Sequence, residues 1–336
     1  MPKSKESILN PVAVHLPGPP SQVVTDGGID GRSLSGLAEV AINDKWTSLG
    51  RAPGTPQGAV TKLGPGFFRE YEDGRIYYHR DLGPFWVMGD IFAKYVELGG
   101  PSSWLGWPKS DEEPFEDGRG SAFQNGNIFW WQDTGAIDVG EVAVHYTGMF
   151  CFGETNEGSA SDEPYAILTT LPRTTGVPLV IRSRIYDDVD AGDSREDNIE
   201  LYRGLPYGLE IAATLMEHDL ADPDKYLETI KVGVAKASEA VALGLAQIPY
   251  VGSFVAPVGE ALLKAAGPDI VGAINGLVGG ADDHIGTVSL TVSARDMVRL
   301  CRADRANNHG ILWHLDSPLI SDGEASYKIY IDVRAL

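Results

Sequence analysis

Downstream of residue 140 the chain is a series of short apolar runs separated by clusters of Gly, Pro, Asp and Ser. Runs at 142–146 leading into 150–152, then 165–171, 177–185, 199–203, 209–216, 287–292, 311–315 and 327–333 have strand length and strand composition. About eight such runs with turn residues between them predict an antiparallel β-sandwich. The pattern changes once. After Asp222-Pro223-Asp224, a helix start with acids at the positive end of the dipole, Leu227, Ile230, Val234, Ala237, Val241 and Leu245 recur at three- and four-residue steps. They form one apolar stripe opposite Lys231, Lys236 and Glu239, predicting an amphipathic helix of about twenty residues. Residues 240–259 carry no charge, yet Pro249, Pro257 and the nearby glycines break the run, which argues against a straight membrane span. Two shorter helices are expected around 258–266 and 269–278. The insertion at about 223–280 is read as a small bundle packed on its own sandwich, with a membrane-inserting hairpin as the alternative.

Upstream, residues 1–32 are rich in Pro, Gly and Ser without a sustained period and read as a flexible leader; order is expected from Ser33. From there to residue 140 the chain repeats. Gly74-Arg75-Ile76-Tyr77-Tyr78 followed by Asp81-Leu82-Gly83 returns fifty-two residues later as Gly126-Asn127-Ile128-Phe129-Trp130 followed by Asp133-Thr134-Gly135. Lys45-Trp46-Thr47-Ser48-Leu49-Gly50 likewise corresponds to Lys94-Tyr95-Val96-Glu97-Leu98-Gly99. Each unit is expected to be a short helix, a Gly/Pro turn and a hairpin carrying paired aromatics.

The second unit, with Ile91-Phe92-Ala93-Lys94-Tyr95, Leu98-Gly99-Gly100, Leu105-Gly106-Trp107-Pro108 and Gly126-Asn127-Ile128-Phe129-Trp130, resembles the LGFP repeat. That resemblance implies a tandem module of bacterial surface and secreted proteins that holds them to the cell envelope. The first unit departs from it, with Pro53-Gly54-Thr55-Pro56 in place of the tetrapeptide. Among the aromatics, Trp107, Tyr78, Trp130 and Trp131 are the candidates for stacking on sugar rings of an envelope glycan, although one of each adjacent pair on a strand must face inward as core.

Charge narrows the partners. Lys and Arg number 27 against 47 Asp and Glu, a net charge of -20, which excludes nucleic acid and disfavours unassisted docking on anionic lipid. Only Cys151 and Cys301 are present, so no disulfide scaffold or zinc cluster is possible; one bridge or two buried thiols remain open. No stretch near the N-terminus has the apolar core of a classical signal peptide. A secreted or envelope-associated location therefore implies processing or another export route.

The acids cluster at strand ends. Glu154, Glu157 and Asp162 follow the first sandwich strand, Glu217 and Asp219 close the run at 209–216, and Asp282 and Asp283 precede the run at 287–292. The segment around Ser161-Asp162-Glu163-Pro164-Tyr165 and the Asp282-Asp283-His284-Ile285-Gly286 start resemble, distantly, the first and third calcium loops of C2 domains. The resemblance implies Ca2+ held by Asp162, Asp219, Asp282 and Asp283, with Glu154, Glu157 and Glu217 as further ligands. The helical insertion at 223–280, if its apolar face is exposed, is expected to meet a membrane or protein partner. Physically, Ca2+ takes six to eight oxygens, and carboxylates gathered at one rim repel each other without it. The acidic run 187–198 fails the EF-hand spacing and reads as a solvated hairpin loop.

No Walker loop, His-Glu-x-x-His, Gly-x-Ser-x-Gly or dinucleotide fingerprint occurs, and the seven histidines are scattered, so no catalytic residue is assigned. The sequence thus predicts a mainly β chain with α elements. Its parts are a leader at 1–32, LGFP-like αβ repeats at 33–140 and a C2-like sandwich with a helical insertion at 141–336. The function expected is non-enzymatic envelope-glycan attachment with calcium-dependent membrane or partner binding. A pore-forming effector using the insertion and an unrecognised envelope hydrolase are the alternatives.

Overall fold

The computed structural model describes residues 33–155, 161–218, 222–247, 257–278 and 284–336. Ser33 caps the first helix, its Oγ accepting from Gly36 N at 3.2 Å. The first unit comprises α1 (Leu34–Ser48), β1 (Thr61–Leu63), β2 (Gly66–Glu70), β3 (Arg75–His79) and β4 (Gly83–Val87). The second comprises α2 (Gly89–Glu97), a short 3-10 turn, β5 (Glu113–Phe115), β6 (Gly118–Ala122), β7 (Asn127–Trp131) and β8 (Gly135–Val139). Each unit is a four-stranded antiparallel meander with its helix laid on one face, a larger sheet than the expected hairpin.

The alternation of each strand fixes how the units stack. Ile76 and Tyr78 face α1, in a cluster with Ala38, Ile42 and Trp86, whereas Tyr77 points the other way, onto Ile91, Tyr95 and Trp107. In the next sheet Ile128 and Trp130 face α2, while Phe129 and Trp131 face away from it. The layers therefore run α1, sheet, α2, sheet.

The remaining strands are β9 (Val142–Gly153), β10 (Tyr165–Pro172), β11 (Leu179–Arg182), β12 (Ser194–Gly204) and β13 (Leu209–Met216). There follow α3 (Pro223–Gln247), α4 (Pro257–Val278), β14 (His284–Val292) and α5 (Ala294–Leu300). The chain closes with β15 (Ala306–Asn308), β16 (Ile311–Trp313), β17 (Leu315–Asp316), β18 (Ile320–Ser321) and β19 (Ser326–Ala335). Two antiparallel sheets, β11-β10-β13-β14 and β12-β9-β19-β17, enclose a shared core that includes Val144, Tyr146, Leu168, Ile211, Leu215, Ile329 and Ile331. Hairpin β15–β16 forms its own two-stranded ladder and packs on the second of these sheets, Ile311 against Phe150 and Tyr330.

The insertion packs on the outer face of the first sheet. Ile230 and Val234 of α3 and Ala266, Ile270, Ile274 and Val278 of α4 bury against Tyr165, Ile167, Leu171, Ala212 and Met216. The expected two short helices are one, with Pro268 inside α4. Pro268 follows Gly267, which lies so close to the buried Glu210 side chain that a Cβ there would come within 2.3 Å of its carboxylate. Packing on β13 thus carries the helix across a residue that removes a backbone donor. Among the described residues no helix is long and apolar enough to cross a membrane.

Candidate functional site

The two repeats have the same local construction. Gly54 and Gly106 both adopt left-handed φ, 82° and 70°, and each carbonyl accepts from an aromatic on the preceding helix, Trp46 Nε1 at 2.9 Å and Tyr95 OH at 2.7 Å. The next amide donates to a side chain on the sheet: Thr55 N to Glu72 Oε2 at 3.0 Å and Trp107 N to Gln124 Oε1 at 2.8 Å. The divergent Pro53-Gly54-Thr55-Pro56 therefore keeps the turn of Leu105-Gly106-Trp107-Pro108. What it lacks is the indole. Trp107 fills the seam between sheets, edge-on to Tyr77 at 6.3 Å and against Gly66, where a Cβ would meet it at 2.6 Å. Thr55 is exposed, with no described sheet before it.

A cleft of about 330 Å³ opens beside α2, lined by Asp73, Met88, Asp90, Glu112, Arg119 and Trp130. Trp130 Nε1 donates to Asp90 Oδ2 at 2.8 Å, which fixes the ring from α2, and the Arg119 guanidinium pairs with Glu112. The same places in the first repeat are apolar. Register and the fifty-two-residue offset set Phe67 against Arg119, Val60 against Glu112 and Tyr78 against Trp130, and these three residues seal together under α1. Ala41 of α1 corresponds to Asp90 by the helix alignment. One repeat has thus closed the position with hydrophobic packing, and the other has opened it and charged it. A half-buried indole flanked by carboxylates and a guanidinium suits the faces and hydroxyls of a sugar.

Of the four aromatics proposed for stacking, only Trp130 lines this cleft. Trp107 is 5% exposed and Trp131 1% exposed, both core residues without a free ring face. Trp131 lies beneath the Arg295 guanidinium at 5.9 Å, and Tyr78 packs under α1. Asp73, Asp90, Glu112 and Arg119 escaped the sequence reading. The signal was present as charges in the second repeat where the first has Ala41, Val60 and Phe67.

At the sandwich, register brings the start of β10, the end of β13 and the start of β14 side by side, pairing Tyr165 with Met216 and Met216 with His284. The insertion leaves and re-enters at this rim. The predicted carboxylates do not come together there among the described residues. Asp162 is 2% exposed; its Oδ1 accepts from Thr155 Oγ1 at 2.7 Å and its Oδ2 from Tyr327 OH at 2.5 Å. Glu217 Oε1 accepts from Glu163 N at 2.6 Å, and Glu154 Oε2 from Ala191 N at 2.9 Å. These bonds tie the three carboxylates to three separate sets of structural partners. No group of three or more His, Cys, Asp or Glu among the described residues could hold a metal. Asp219, Asp282, Asp283 and Glu157 lie outside the described residues. Cys151 and Cys301 are both free thiols, and burial pushes Cys151 up to about 11.

Stacked αβ repeats, the second with an open, charged cleft, set on a β-sandwich, define a modular repeat protein. The family model described as LGFP repeat matches residues 52–103 and 105–149, so the chain carries two LGFP repeats, of a kind typical of bacterial cell-envelope proteins. No curated protein matches the chain. The family match stops inside β9, and the likeness of the sandwich to C2 domains rests on its loop motifs alone. The first match runs from turn through sheet into α2 and the second from turn through sheet into β9, a different phase from the helix-first units expected.

Proposed function

We propose that this is a cell-envelope binding protein whose second LGFP repeat holds a glycan in the cleft of Asp90, Glu112, Arg119 and Trp130. The observation that carries the reading is the contrast between repeats, an open polar cleft where the sister repeat has Val60, Phe67 and Tyr78 packed shut. The sugar ring lies on the Trp130 face, and its hydroxyls exchange hydrogen bonds with Arg119 and the carboxylates. No bond is made or broken. Pull-down on purified cell-wall glycan tests it: Trp130→Ala and Arg119→Ala should each weaken retention by about tenfold, the order of one or two lost contacts. Tyr78→Phe, on the sealed repeat, should bind as the unaltered chain does. Equal retention of all three would remove the reading.

A second reading, calcium-assisted contact with a membrane or protein partner at the sandwich rim, is supported by the register that aligns the ends of β10, β13 and β14. Its ligands would come from Asp219, Asp282, Asp283 and Glu157. Titration of the chain with Ca2+ giving no heat, together with an unchanged melting temperature in EDTA, would end it.

A further inference from the structure

The outer face of the β12-β9-β19 sheet is broken where its strands should pair most regularly. The ladder between β12 and β9 slips between Glu196 and Ile199, and that between β19 and β9 slips between Tyr330 and Ile331. Both slips fall at Thr147–Gly148 of β9. Two bulges at one place splay the strands, and bulges re-aim side chains at the edges of sites. Gly148 takes a φ of 142°, and a Cβ there would come within 2.3 Å of Arg195 O and 3.1 Å of Ile311 on hairpin β15–β16. The hairpin crosses the bulge and leaves beside it a cleft of about 380 Å³, walled by Thr147, Asp197, Asn198, Arg305, Leu312 and Arg334.

Opposite walls of this cleft carry opposite chemistry, each held from behind. Asp332, fully buried, accepts through Oδ2 from Arg334 Nε at 2.6 Å and from Arg305 Nη1 at 3.3 Å, while His314 Nδ1 lies 2.8 Å from Oδ1. One carboxylate thus orients both guanidiniums. The Nη groups of Arg334, and Nε and Nη2 of Arg305, have no acceptor among the described residues. Across the cleft, Asp197 Oδ2 accepts from Tyr186 OH at 2.5 Å, and Tyr186 OH lies 3.1 Å from Tyr146 OH in the sandwich core. Burial pushes both phenols up, so both keep their protons. The Thr147 hydroxyl, on a residue 6% exposed, has no partner among the described residues.

We propose that this cleft binds a carboxylate-bearing sugar, with its carboxylate on the Arg305 and Arg334 forks and its ring hydroxyls donating to Asp197. Forked guanidiniums match a carboxylate in two parallel hydrogen bonds, and a pre-oriented acid at the far wall selects against an anion that brings no donors. The volume accommodates a pyranose ring with its substituents. The site is separate from the repeat cleft and independent of its reading.

Isothermal titration of the full chain with glucuronate, glucose, glycine and inorganic phosphate, each up to about 10 mM, reads affinities down to the millimolar range. Glucuronate should bind, and glucose, glycine and phosphate at least about tenfold more weakly. Arg334→Gln should weaken glucuronate about tenfold or more. Because that change removes a partner of buried Asp332, Leu312→Trp serves as the second variant: it fills the cleft from an exposed hairpin position, and should abolish binding with an unchanged melting temperature. No heat with glucuronate would overturn the proposal. So would phosphate or glycine binding as well as glucuronate, or glucuronate affinity unaffected by Leu312→Trp.

Discussion

At Glu116 the backbone takes φ of 50°, a conformation unfavourable for a residue with a Cβ, and the side chain is 6% exposed. The turn between β5 and β6 holds that strain because the carboxylate reaches the sandwich. Its Oε1 accepts from Arg173 Nη1 at 3.3 Å and Ala294 N at 3.2 Å, and its Oε2 from Arg295 N at 3.2 Å, at the start of α5. Glu116→Ala should cost about 3 kcal/mol by denaturant unfolding, since it takes a charged partner from Arg173 in a buried setting. Glu116→Gln, which keeps an acceptor, should cost less. A second residue-scale effect depends on pH. Burial, and next the Arg334 guanidinium, hold His145 below its ordinary 6.5, with Glu200 and Asp332 opposing and Arg203 adding to the depression. Burial lowers His284 too, with Asp322 opposing. Both rings are favoured neutral in the fold, and the unfolded chain takes up protons first as pH falls. The stability they contribute is complete above pH 6.5 and is lost as pH falls through the lowered folded values. The melting temperature should therefore drop on acidification below that point, and less so in His145→Gln. None of this was legible in sequence. The scattered histidines carry no local mark of burial, and nothing local distinguishes Glu116 from Asp117 beside it.

Elements were more legible, because periodicity reports which faces are covered. The runs read as strands became β9 to β14, β16, the first residue of β17, and β19, while the short β15 and β18 fall outside them. The acidic run 187–198, expected as a loop throughout, is loop only as far as Asp193, and β12 takes over from Ser194 because its partner β9 extends to Gly153. In β13 every residue from Leu209 to Met216 is buried, and the run lacks the polar alternation of a one-sided strand. Ile211 and Leu215 point into the sandwich while Ala212 and Met216 lie under α3 and α4. That missing alternation already indicated a second layer, and hence a packed insertion. Because the stripe of Ile230, Val234, Ile270 and Ile274 is committed to the sheet, the full chain should leave dye-loaded liposomes of anionic or neutral lipid intact. Ile274→Ala should lower stability by about 2–4 kcal/mol, the usual cost of such a cavity. Rapid dye release would instead show that α3 and α4 leave the sheet. The repeat sheets offer a parallel case. Gly66 and Gly118 begin equivalent strands, and a Cβ at either would lie within 2.6 Å of the next indole, Trp107 or Trp131. Gly118→Ala should cost about 1–3 kcal/mol through overpacking, measurable as a lower midpoint at constant m-value.

In the whole molecule the layers read α1, sheet, α2, sheet, sandwich, and the last contact determines how the parts behave together. The face of the second sheet opposite α2 carries Phe115, Phe129 and Trp131, and in a longer array another helix would cover it. Here the sandwich does. Tyr207 packs tilted at 5.8 Å from Phe115 and edge-on at 6.5 Å from Phe129, while Ala294, Met297 and Val298 of α5 complete the same cluster. Around it Arg295 bridges Asp117 and Asp133, and Arg302 pairs with Asp138. Surface pairs of this kind add little each, so the aromatic cluster and the buried Glu116–Arg173 pair carry the junction. The sequence boundary near residue 140 is a change of chain pattern, between β8 ending at Val139 and β9 starting at Val142, yet the core runs straight across it. Repeats and sandwich should consequently unfold in one calorimetric transition, with the van't Hoff and calorimetric enthalpies equal for that part of the chain. A fragment ending at residue 140 would expose three large aromatics on one flat sheet and should aggregate or bind a hydrophobic dye, unlike the full chain. If the fragment stayed monomeric and melted at the temperature of the repeats in the full chain, the junction would be a contact between independent modules. The cleft beside α2 would then owe nothing to the sandwich for its shape.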